Sequence, residues 1–396
     1  MQFASRLDNV ETSAIRELFK LSADPGIISF AGGVPDSALF DVEGLRDAST
    51  RALTEAPGAA LQYGATEGYE PLRKSLSEFM NDRNAAIEPR DLIVTTGSQQ
   101  ALDLLGKTMI SPGDKVIVEG PTFLATIQCF RLYGAEVISA PVDAEGVCVD
   151  SLEKLIVEHR PKLVYLIPTF GNPSGKTLSL DRRQRVVELA LRHRTLVVED
   201  DPYGDLYFGA TAPPPSILSL SQQVPGSRDY IAHCGSLSKI LSPGLRIGWL
   251  IGPDALLDKA VMCKQFSDAH TSTFAQATAA QYLASGRLPG ALDGVRRVYE
   301  LRARAMGDAL VRELGDAISF DEPNGGLFIW AKLTGRNGGP SNAHAFARRA
   351  IERKVAFVPG APFYAREPDP STFRLSFATS DVDRIQIGVS RLAQAL

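Results

Sequence analysis

Residues 236–249 read SLSKILSPGLRIGW. One lysine, Lys239, sits there among small and apolar residues, with Ser236 and Ser238 beside it and Arg246 seven positions later. Apolar surroundings strip water from an ammonium and favour the neutral amine. A neutral amine attacks an aldehyde and forms a Schiff base. An arginine and hydroxyls close by are suited to a phosphate. The stretch points to a lysine that carries a phosphorylated aldehyde cofactor, and taken alone it names no particular one.

The elements that must position such a lysine are legible as short apolar runs. They are DLIVTTG (91–97), KVIVEG (115–120), AEVISAPV (135–142), LVYLIP (163–168), TLVVEDD (195–201), YIAHCGS (230–236) and RIGWLIG (246–252). Val/Ile/Leu runs without polar alternation suit strands buried on both faces. Helical patterns such as LDRRQRVVELALRHR (180–194) lie between some of them. The fold class is therefore α/β, with a mainly parallel central sheet and helices on both faces. Ligands in such sheets bind beyond the carboxyl ends of the strands. The residues after these runs are Ser98-Gln99-Gln100, Pro121-Thr122-Phe123, Gly171-Asn172-Pro173-Ser174-Gly175, Asp200-Asp201-Pro202-Tyr203 and Ser238-Lys239. Each would pass for an ordinary loop; their coincidence at one sheet edge is the argument for a site.

The remainder of the chain reads as a smaller α+β domain. A long helix around VRRVYELRARAMGDALVREL is followed by strands at GGLFIWAKL and TFRLSFAT. The expected division is an N-terminal segment (1–45) joining the small domain, a large cofactor-binding domain (46–288) and a C-terminal small domain (289–396). Residues 211–227, with Pro213 to Pro215 and Pro225, read as a surface connection.

Composition narrows the function classes. The chain has 396 residues, 44% hydrophobic and 22% charged, enough for a large core. Its net charge of −4, from 42 Lys and Arg against 46 Asp and Glu, suggests neither a nucleic-acid partner nor an acidic membrane. No secretory signal and no run of about 18 apolar residues is visible. The cysteines Cys129, Cys148, Cys234 and Cys263 lack metal-ligand spacing, so no metal is expected and reduced thiols in a cytoplasm are the plain reading. GNPSGKT (171–177) resembles a phosphate loop, yet Phe170 stands where GxxxxGK[ST] needs its first glycine. No GxGxxG comes after a strand, which disfavours a nicotinamide dehydrogenase.

The chain resembles the class I/II pyridoxal-phosphate aminotransferases of fold type I, in the branch of 2-aminoadipate and kynurenine aminotransferases. The resemblance spans essentially the whole chain through FAGGVPD, LQYGATEGYEPLR, TTGSQQALDL, PTFGNPSGKTLS, VVEDDPYGDLYF, GSLSKILSPGLRIGW, GGLFIW and FRLSFA. It implies that Lys239 binds the cofactor covalently and moves a proton during catalysis. It implies that Asp200 pairs with the pyridinium nitrogen, with Asp201 as the neighbouring competitor, and that Tyr203 and Asn172 donate to the ring oxygen. Ser98 and Gln99 backbone N–H groups, Ser236, Ser238 and Arg246 would hold the phosphate. Phe123 would stack on the ring, and Tyr63 would reach the phosphate from the other subunit of a homodimer with shared active sites. Arg374, helped by Asn172, would clamp the substrate α-carboxylate. Gly33 would let the backbone approach substrate, and Arg16 would meet a distal carboxylate. The implied reaction moves the amino group of an L-amino acid to a 2-oxo acid.

Two other classes stay in view. Lyases and decarboxylases use the same scaffold. So do transcriptional sensors that carry a DNA-binding winged helix before this fold. FAGGVPD begins at residue 30, which leads us to expect no such domain.

Overall fold

The computed structural model describes residues 1, 3–7, 26–336 and 339–396. The apolar runs become strands because burial on both faces is what their side chains require. They are β2 (Leu92–Thr96), β3 (Lys115–Gly120), β4 (Glu136–Asp143), β6 (Leu163–Leu166), β7 (Leu196–Asp201), β8 (Ile231–Ser236) and β9 (Ile247–Ile251). A two-residue β5 (Gly146–Val147) completes an eight-stranded sheet of order β2-β9-β8-β7-β6-β3-β4-β5. Every residue of β6, β8 and β9 is buried. The pairs β3–β4, β3–β6, β6–β7 and β7–β8 are parallel.

Three details depart from the sequence reading. First, β9 runs antiparallel to both β2 and β8. Only residues 237–246 join β8 to β9, too few for a helical crossover. Second, β6 stops at Leu166, because the Ile167 N–H donates to Glu119 (2.7 Å) and Pro168 has no N–H to offer. Third, residues 211–227 are not all surface. Ile217–Ser221 forms a buried helical turn, whose Ile217 and Leu218 N–H groups both donate to the Glu199 carboxylate at 2.9 Å. His233 lies 3.2 Å from the same carboxylate.

Helices cover the sheet. Ser98–Met109 buries Ala101, Leu102, Leu104 and Leu105 and packs on β2, β8 and β9. Leu180–His193 buries Val186, Val187, Leu189 and Ala190. The long helix spans Leu288–Leu314, starting earlier than its periodicity indicates. Pro289 is tolerated in a first turn, while Gly290 and Gly294 mask the pattern.

The C-terminal part holds an antiparallel sheet of order β10-β11-β14-β13, with β10 (Ile318–Phe320), β11 (Phe328–Leu333), β13 (Val358–Pro359) and β14 (Thr372–Ser376). Phe346, Phe357 and Phe373 form its aromatic core, with ring centroids 5.0–5.7 Å apart. Near the N-terminus, β1 (Ile28–Ser29) pairs in parallel with β12 (Val355–Ala356), and the Ser376 N–H donates to Phe30 O at 2.8 Å. The chain thereby carries Gly33 to the edge of the large sheet. Among the described residues, no helix is long and apolar enough to cross a membrane.

One glycine ties the sheet to the site. A Cβ on Gly248 would stand 2.6 Å from Gly97 C and Ser98 N, both backbone atoms. Gly248→Ala should cost about 1–3 kcal/mol in denaturant unfolding. Gly290, where an added methyl would meet nothing within 4 Å, should instead gain about 0.5–1 kcal/mol as Gly290→Ala.

Candidate functional site

The carboxyl ends of β2, β3, β6, β7 and β8 open onto one cavity of about 320 Å³. Lys239, Asp200, Tyr203, Asn172, Phe123, Ser98, Gln99, Ser238, Arg246, Gly33 and Arg374 all line it. Val34, Ile167, Pro202 and Pro243 supply apolar wall.

Lys239 donates from Nζ to Gly33 O at 2.7 Å. Burial, then the positive charges of Arg374 and Arg246, bring its pKa down to about 8. The shift raises the neutral fraction of the amine at neutral pH, to about a tenth, in the direction a nucleophilic amine requires.

Asp200 closes the floor of the cavity. Its Oδ2 accepts from the Tyr165 hydroxyl at 2.5 Å, while its Oδ1 is buried without a partner among the described residues. Burial raises the carboxyl to about 6, opposed by the Tyr165 hydrogen bond and by His233. Asp201 is occupied differently: its Oδ1 accepts from the Gly204 N–H at 2.8 Å and closes the local turn. The two neighbouring aspartates are therefore told apart by geometry.

On the opposite side a relay joins the two sheets. Arg374, on β14, donates from NH1 to Asn172 Oδ1 at 2.7 Å and from NH2 to Ala31 O at 2.9 Å. Asn172 Nδ2 in turn faces the Tyr203 hydroxyl at 3.3 Å. The guanidinium lies 4.2 Å from the Phe328 ring centroid and 5.0 Å from that of Phe363. Burial lowers Arg374 to about 10, which leaves it charged at neutral pH, and its buried Nε has no partner among the described residues. Burial pushes Tyr203 up to about 12, so its phenol keeps its proton. A Cβ on Gly33 would sit 3.2 Å from Phe328 and 3.8 Å from Arg374.

A third corner is built for an anion. Gly97, at φ 75°, turns the chain into the helix that Ser98 opens. The first N–H groups of a helix have no intrahelical acceptor and attract negative charge. Arg246 reaches across, donating from NH2 to Thr96 O at 3.2 Å. Ser238 lines the cavity, with the buried Ser236 two residues before it. The Ser236 hydroxyl meets Ser238 Oγ at 2.9 Å and accepts from the Ser238 N–H at 3.1 Å. Ser236 thus braces Ser238, the other serine expected at the phosphate. Tyr63 is 86% exposed and lies off the cavity of its own chain, edge-on to His270 with centroids 5.7 Å apart. Arg16 lies outside the described residues.

The family model for aminotransferase class I and II matches residues 26–392. The chain belongs to the class I and II aminotransferases. It is 41% identical over 398 residues to the 2-aminoadipate transaminase of Thermus thermophilus, across 100% of this chain and 96% of that protein. It is 37% identical to aromatic-amino-acid aminotransferase 1 of Thermococcus litoralis, across 100% of this chain and 94% of that protein. Among solved structures, the alpha-aminoadipate aminotransferase of Thermus thermophilus complexed with N-(5'-phosphopyridoxyl)-L-leucine matches with a TM-score of 0.90. That match has 40% identity over 100% of this chain and 97% of the other.

The aminotransferase is a pyridoxal-phosphate-dependent transaminase of fold type I. Its cavity fits the cofactor on its own terms. Asp200 Oδ1 is an orphaned acceptor where a protonated ring nitrogen would satisfy it, and the Ser98 turn offers donors to a phosphate. Tyr165, Phe328 and Phe363 were not singled out in the sequence. Tyr165 carried a usable signal, since a tyrosine inside a doubly buried strand must find its hydroxyl a partner.

Tyr165→Phe would remove the hydrogen bond that favours the charged form of Asp200, raising the pKa of that carboxyl further. The acid limb of pyridoxal-phosphate binding to the apo-protein should therefore move to higher pH. Spectrophotometric titration across about pH 5–8 checks this, and an unmoved limb would contradict it.

Proposed function

We propose that the aminotransferase moves the amino group of an L-amino acid to 2-oxoglutarate or pyruvate in two half-reactions. The donor belongs to the set spanned by 2-aminoadipate, kynurenine, aromatic and branched-chain amino acids. The observation that carries this reading is Arg374: a buried guanidinium whose Nε is unpartnered among the described residues, facing the same cavity as Lys239. An α-carboxylate held there would bring the α-carbon toward Nζ.

Each role follows from the surroundings of the residue. Lys239, partly neutral, takes and returns the proton at the substrate α-carbon. Asp200 would keep the ring nitrogen protonated by accepting the hydrogen bond of its N–H through Oδ1. Asn172 and Tyr203 donate to the ring oxygen, Phe123 covers a ring face, and Ile167 helps exclude water. Ser98, Gln99, Ser236, Ser238 and Arg246 would hold the phosphate. The bound cofactor supplies an aldehyde carbon that accepts the amino group and a ring that withdraws electrons from it.

Tyr63, exposed at the surface of one chain, suits contact with the phosphate of a second copy, which supports a homodimer with shared sites. Arg16 is proposed as the partner of a distal substrate carboxylate. The N-terminal segment and residues 289–396 are proposed to form one small domain beside the large one, in a cytoplasmic enzyme.

The holoprotein should have a visible absorption band that Lys239→Ala alters or abolishes; a band unchanged in the variant would refute the role of Lys239. Asp200→Asn should lose about 10²–10³ in kcat, and Asp201→Asn far less. The reverse order would assign the ring nitrogen to Asp201. Single-turnover absorbance changes with separate donors then identify the substrate: a donor among those four kinds should convert the band fastest, and conversion by none of them would overturn the proposed set.

A further inference from the structure

Lys264 is 0% exposed yet lies outside the catalytic cavity. It sits near the end of the helix Asp254–Gln265, and its ammonium is turned entirely toward groups around the Ser98 turn. Nζ donates to Gln100 Oε1 at 2.9 Å, to Asp268 Oδ1 at 2.8 Å and to Thr271 Oγ1 at 3.1 Å. Those acceptors grip the turn from both sides. Gln100 Oε1 also accepts from the Thr96 N–H at 2.7 Å, and Gln100 Nε2 donates to Asp268 Oδ2 at 2.7 Å. The Thr96 hydroxyl donates to the same Oδ2 at 2.9 Å. Between these anchors stand Gly97, Ser98 and Gln99.

We propose that Lys264 is a positioning residue for the cofactor phosphate, holding Thr96 and Gln100 so that the intervening N–H groups converge on one anion. This rests on the placement of the phosphate at Ser98 and Gln99. An isolated buried ammonium is costly, and the pairing with Asp268 offsets that cost. The same network steadies Thr96 O, which accepts from Arg246. Removing the ammonium takes one donor each from Gln100 Oε1 and Asp268 and loosens the groups that hold Thr96. The loss falls on the phosphate because the ring and the aldehyde are held by other strands.

The test compares the affinity of the apo-protein for pyridoxal phosphate and for pyridoxal, which lacks the phosphate. Lys264→Met should weaken pyridoxal phosphate by about tenfold or more and leave pyridoxal nearly unchanged. Thr96→Val and Gln100→Leu each remove one anchor with the ammonium in place, and should reduce the preference in the same direction. They decide the matter where Lys264→Met does not fold. A preference unchanged in these variants, or equal loss for both ligands, overturns the role of Lys264. Arg246→Gln tests the underlying placement separately. If it keeps the full preference for the phosphate, the phosphate does not lie at this corner, and the proposal falls with that placement.

Discussion

A carboxylate buried at the end of β7 with only one of its oxygens satisfied governs how this site is built. Asp200 is 3% exposed, and its Oδ1 has no partner among the described residues. An unpaired buried acceptor costs on the order of 1–3 kcal/mol, more when charged. The arrangement is stable in the loaded enzyme only if a donor arrives, and a protonated ring nitrogen is a donor that also brings positive charge. The sheet then has to do three things. It must bury the carboxylate, aim it, and keep it ionised in the face of that burial. Strands β6 and β8 on either side of β7 bury it. Tyr165, rising from β6, takes Oδ2 and leaves Oδ1 without a partner in a residue that lines the cavity. His233 on β8, paired with Glu199, adds a field that favours the ionised form.

The second constraint is a balance among cations. Lys239, Arg374 and Arg246 all face one cavity, and the arginines help to hold Lys239 down to about 8. Arg374 keeps its charge although burial lowers it to about 10, because a guanidinium begins far higher. The amine that must be neutral yields to the two groups that must stay charged. Arg374 comes from the small sheet and Asn172 from the large one. Their 2.7 Å hydrogen bond therefore links the proposed carboxylate clamp to the proposed ring-oxygen donors across the two layers.

Much of this was legible in the chain because its signals are local. Buried parallel strands read as Val/Ile/Leu runs, and the residues after each run must stand at its carboxyl end. That logic placed Ser98, Phe123, Asn172, Asp200, Tyr203 and Lys239 beside one another. It could not give the direction of β9, which is set by the length of the β8–β9 connection more than by its composition. Tyr165 was hidden inside an apolar run, where only the need of its hydroxyl for a partner marks it. The Lys264 network joins residues 96–100 to 264–271, and no pattern along the chain announces a contact of that range. Tyr63 lies off the cavity of its own chain, and the role proposed for it needs a second copy.

The central claim, that Asp200 keeps the ring nitrogen protonated, is tested most directly by nitrogen NMR of the holoprotein loaded with pyridoxal phosphate labelled with ¹⁵N in its ring. The account predicts a pyridinium-type shift that persists to pH values where the free cofactor has lost that proton, and that disappears in Asp200→Asn. An unprotonated pyridine shift in the unaltered protein would contradict it.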